Sequence, residues 1–155
     1  MLTHPTLEKL QAMRLTGMAK AFAEQLQLAD SEALSAEERI GLLVDREWLE
    51  RDNRRLTTRL RTAKLRHHAA VEDIDYRHPR GLDRALMAKL ATSAWLREHL
   101  NCVIVGPTGI GKSWLACALA QQACRDGFSA LYLRAPRFFR DLSLAKGDGR
   151  YPKLM

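Results

Sequence analysis

With 155 residues, 46% of them hydrophobic and 28% charged, the chain matches one ordinary globular domain, which excludes disordered and collagen-like classes. Its longest run without a polar side chain, 114–120, is far short of the roughly 18–20 apolar residues of a membrane-spanning helix. Glu8 interrupts the N-terminus before any secretory signal could form, so a cytoplasmic protein with no membrane partner is expected. The formal net charge of +7 is uneven: residues 1–80 carry 14 Lys/Arg against 13 Asp/Glu, and residues 81–155 carry 11 against 5. Such a surplus favours polyanionic partners without naming one.

Leu7, Leu10, Met18, Phe22 and Leu26 recur near the helical period between Pro5 and the polar break Asp30-Ser31-Glu32, which predicts one amphipathic helix. Ser35 with Glu38 three residues later has the form of a capping box. A long helix is expected from there to about His67, with an apolar stripe through Ile40, Leu43, Val44, Trp48, Leu56, Leu60 and Leu65. Trp48 and Trp95 are expected in the core. Between Glu72 and Gly81 the periodicity fails, and Asp73, Asp75, Pro79 and Gly81 supply turn chemistry. A helical pattern then runs from Leu82 through Leu86, Leu90 and Ala94 to Leu100. Residues 102–105 and 130–133 read as short strands, and 112–126 reads as a helix capped by Gly127. Pro136 opens a last helix through Phe138, Phe139, Leu142 and Ala145, ending near Gly147 or Gly149.

These elements predict an α/β chain: an N-terminal α-helical domain over 1–72, a linker over 73–81, and over 82–155 the start of a P-loop three-layer domain with an incomplete parallel sheet. Two strands alone would leave apolar faces and edges uncovered. Cys102, Cys117 and Cys124 form no metal-ligand pair and read as small buried hydrophobes, and His67-His68 has poor spacing for two ligands on one helix face.

Gly106-Pro107-Thr108-Gly109-Ile110-Gly111-Lys112-Ser113 fits G-x-x-x-x-G-K-S, the Walker A pattern, between an expected strand and an expected helix. Glycines in such a loop let successive amides face phosphate oxygens, and the following helix adds the positive end of its dipole. Lys112 is expected to meet the β- and γ-phosphates of ATP, and Ser113 to offer its hydroxyl to Mg2+. Trp114 would pack on neighbouring structure more readily than on a base. Hydrolysis in this class also needs an acidic residue at the end of a later strand. No such residue is found here: Asp141 and Asp148 fall in or beyond the last helix.

Arg51, Arg54, Arg55, Arg59, Arg61, Lys64 and Arg66 place seven bases within 16 residues of the second long helix, with Asp52 the only acid. They could follow a DNA backbone or form a solvated face. A second basic set is Arg125, Arg134, Arg137, Arg140, Lys146, Arg150 and Lys153.

Leu7-Glu8-Lys9-Leu10 through Arg14-Leu15-Thr16-Gly17-Met18-Ala19, then Asp73-Ile74-Asp75-Tyr76, then 101–109 with Ser113-Trp114-Leu115-Ala116, together resemble the IstB-like transposition helper ATPases. The likeness covers essentially the whole chain. It implies an AAA+ protein related to the bacterial helicase loader, with a helical N-terminal domain for DNA engagement and self-assembly and an ATPase core that assists a cognate transposase. Family members form homo-oligomers and carry a second acidic motif, sensor residues and an arginine finger, none of which is found here. A shortened helper that binds ATP without full hydrolysis is therefore expected. The alternatives are a non-enzymatic DNA-binding or assembly module, an inactive fragment, or a helicase-loader-like protein.

Overall fold

The structure, a computed structural model, describes residues 4–27, 34–78, 81–147, 149 and 151. The expected break at Asp30-Ser31-Glu32, the turn residue Pro79, Asp148, and the bases Arg150 and Lys153 lie outside these residues. Seven α-helices follow one another among the described residues: α1 (Pro5–Ala12), α2 (Thr16–Gln27), α3 (Ala36–Ala63), α4 (Arg84–Ala91), α5 (Ala94–Arg97), α6 (Lys112–Arg125) and α7 (Ala135–Gly147). A 3-10 turn at Val71–Asp73 separates α3 from α4. The chain divides into two compact units, Met1–Thr58 and Arg59–Met155. No helix among the described residues is long and apolar enough to cross a membrane.

In the first unit, the single helix expected over Leu7 to Leu26 is two helices. Arg14 turns left-handed at φ 59°, Leu15 donates to the Leu10 carbonyl at 2.9 Å, and Arg14 donates to that of Gln11 at 2.9 Å. This pattern closes a helix C-terminus, here without the usual glycine. The start of α2 is then capped from α3: the Glu47 carboxylate accepts the Gly17 amide at 2.8 Å and the Met18 amide at 3.2 Å. Glu47 is only 6% exposed and also holds the Arg51 guanidinium at 2.8 Å. Burial works to raise its pKa, but the hydrogen bonds from Arg51 and the two amides prevail and hold it below the ordinary carboxylate value. Gly17 permits this approach, because a Cβ there would stand 2.7 Å from the Arg46 carbonyl oxygen and the Glu47 Cα.

The capping box at α3 forms as expected, with Ser35 N to Glu38 Oε2 at 2.8 Å and Glu38 N to Ser35 Oγ at 3.2 Å. The helix stops at Ala63 rather than His67, because Lys64 turns left-handed at φ 49° and the Ala63 carbonyl accepts the amide of Tyr132 at 2.8 Å. Trp48 is not in the core: it is 75% exposed, and Ile40 and Val44 beside it on the same helical face are exposed too.

The second unit is organised around α6. Leu115 and Leu119 pack with Ile74 and Met87, flanked by Tyr76, Leu90, Ile104 and Trp114. On the adjoining face, Cys117 and Ala118 pack with Ala69, flanked by Leu65, Trp114 and Tyr132. Cys117 and Cys124 are wholly buried, as expected of small core hydrophobes, and burial pushes the Cys124 thiol above its ordinary pKa. Gly127 closes α6 at φ 96°, with Phe128 N to Ala123 O at 2.9 Å, and α7 ends at Gly147 as its sequence indicates. The pattern from Leu82 to Leu100 is interrupted at Ser93, which is buried, left-handed at φ 56° and donates its hydroxyl to Asp126 Oδ2 at 2.6 Å. Trp95 is half-buried, with its indole N–H on the Leu90 carbonyl at 3.0 Å.

Neither expected strand forms a ladder: 102–105 and 130–133 carry no strand among the described residues. The incomplete parallel sheet is therefore absent from this structure. A strand is stabilised only by a paired neighbour, and the amide of Tyr132 goes to the end of a helix instead. Val103 and Val105 are left 81% and 88% exposed, while Ile104 between them reaches the core.

Candidate phosphate-binding site

Residues 106–113 run from the 102–105 segment into the first turn of α6. Gly109 and Gly111 are left-handed at φ 86° and 99°, conformations that side-chain-bearing residues rarely hold. Gly111 is the N-cap of α6, and being glycine it brings no side-chain acceptor to the first amides of the helix. Leu115 is the first to bond, to the Gly111 carbonyl at 2.9 Å. The preceding amides, through Trp114, have no acceptor within the helix.

The starts of α1 to α4 are capped by side chains, whereas the four-residue α5, like α6, has no side-chain cap. His4 Nδ1 accepts from Thr6 N at 3.2 Å, Asp83 from Ala85 N at 2.8 Å, and Ser35 and Glu47 serve α3 and α2. The apolar α6 thus keeps the positive end of its dipole uncapped, next to a loop whose residues Gly106 to Gly109 are exposed. Over that loop lies the Lys112 ammonium, 2.7 Å from the Gly106 carbonyl and 2.6 Å from that of Pro107. Ser113 is exposed on the first turn, and Ile110 is half-buried, with its Cγ2 3.5 Å from where a Cβ on Gly106 would stand. Uncapped amides, one ammonium and one exposed hydroxyl form a donor set suited to a phosphate chain and an oxygen-seeking cation. Trp114 packs against both core clusters of the second unit.

The bases at 51–66 stand in different local environments. Arg51 is bound to Glu47, and Arg54 donates to Thr16 Oγ1. Arg55 and Arg61 are exposed, whereas Arg59 is half-buried with its Nε enclosed. Lys64 and Arg66 lie past the end of α3 and therefore cannot extend a stripe along it. They stand instead beside Arg134 and Arg137. Nothing in the sequence signals that meeting, which depends on the Ala63 to Tyr132 hydrogen bond.

Residues 8–155 match the family described as IstB-like ATP binding protein. A Sinorhizobium fredii protein named as an insertion sequence ATP-binding protein is 59% identical over 154 residues, covering 99% of this chain and 63% of that protein. A similarly named protein of Pseudomonas fluorescens is 49% identical over 156 residues, covering 100% of this chain and 68% of its own length. One from Pseudomonas aeruginosa is 29% identical over 144 residues, covering 93% and 53%. The chain therefore spans between 53% and 68% of the length of these relatives. With its P-loop at the start of α6 and a match along nearly all its residues, the chain belongs to the IstB-like ATP binding protein family.

Proposed function

We propose that this chain is an ATP-binding helper of DNA transposition, acting in the cytoplasm with DNA and a cognate transposase and assembling with further copies of itself. ATP phosphates sit on backbone amides of the loop Gly106–Ser113, Pro107 excepted, Lys112 meets the β- and γ-phosphates, and Ser113 supplies a hydroxyl to Mg2+. When bound, that ion draws charge from the phosphates. The residues of this chain bind and orient the nucleotide. One observation carries the reading: α6 begins at a left-handed Gly111 with no side-chain cap, under an ammonium that leans over the loop.

The chain holds nucleotide without turning it over. Asp141, the acid beyond the second apolar segment that the structure describes, faces Arg137 at 3.7 Å on α7 and is not at a strand end. Residues 102–105 and 130–133 become strands of a parallel sheet once further strands pair with them. The exposed Val103, Val105, Leu131 and Leu133 support that reading. Residues 1–72 serve DNA engagement and assembly, 73–81 link, and 82–155 hold the nucleotide. The exposed face of Ile40, Val44 and Trp48 supports assembly through α3.

The test is equilibrium titration with a fluorescent ATP analogue, alongside phosphate-release assays. Saturable binding is expected, weakened about 10- to 100-fold in Lys112→Ala through the loss of a charged hydrogen-bond donor. Phosphate release should stay at background with or without DNA. Turnover that Lys112→Ala abolishes would show that the chain is a competent ATPase.

A further inference from the structure

We draw no further inference here: the strongest candidate, the surface patch of Ile40, Val44 and Trp48 on the exposed face of α3, carries nothing beyond the assembly already proposed, because nothing in the structure shows what covers it.

Discussion

Two residues show how much local order depends on a few atoms. At Gly17, a methyl group would meet backbone at 2.7 Å on α3, so neither side can yield by turning a side chain. Gly17→Ala should cost the first unit about 1–3 kcal/mol, read as a lower urea midpoint with little change in slope. Glu47 makes the complementary contact from α3, and its depressed pKa fixes the sign of its pH dependence. Because the folded value lies below the unfolded one, its contribution is present above the ordinary carboxylate range and is lost as pH falls through the folded value. Acid unfolding followed by circular dichroism should therefore show the intact chain losing stability below about pH 4.5, the ordinary value for this group, and Glu47→Gln losing less over the same interval. An identical acid profile for the two proteins would show that Glu47 does not carry this dependence. In the sequence Glu47 is one more acid on a polar helix. Its importance comes from a helix start 30 residues away, which no local pattern records.

The elements that were legible are those whose signals are complete within a few residues. Ser35 and Glu38 cap each other across three positions, Gly127 ends α6, and Pro136 opens α7. The breaks that were not legible, Arg14, Lys64, Ser93 and His99, are ordinary side chains in left-handed conformations. Ser93 is held by Asp126 and Lys64 follows the bond to Tyr132, so tertiary hydrogen bonds and not local propensity set these two turns. The strand readings failed for a related reason: an apolar run of four residues specifies a strand only where another strand is present to pair with it. Trp48 was misplaced because an apolar stripe states what a helix face prefers and not whether anything covers it. The glycine pattern of the loop was legible in full, since its left-handed turns are a property of the residues themselves. Helix α6 carries that loop and most of the second unit's core, which gives two expectations. Leu119→Ala should destabilise the unit by about 2–5 kcal/mol in urea unfolding. In the native chain a soluble thiol reagent should modify the half-buried Cys102 well before the wholly buried Cys117 and Cys124, and equal rates would contradict the packing around α6.

On the scale of the whole chain, the proposed function separates holding a nucleotide from consuming it. Holding requires a flexible turn, an uncapped helix and one cation, all of which lie between Gly106 and Ser113. Consuming it requires an acid placed on a neighbouring strand, and Asp141 is engaged on a helix. Basic side chains that a sequence reading assigns to two distant stretches, Lys64 and Arg66 on one and Arg134 and Arg137 on the other, line one cavity of the second unit. The central claim is that the amides at the start of α6 receive phosphate. Amide hydrogen exchange of the chain with and without ATP and Mg2+ measures this directly. The account predicts slowed exchange over the loop and first turn, residues 106–114, that disappears in Lys112→Ala. Exchange in that stretch left unchanged at saturating nucleotide, or slowed equally in the Lys112→Ala chain, would contradict it.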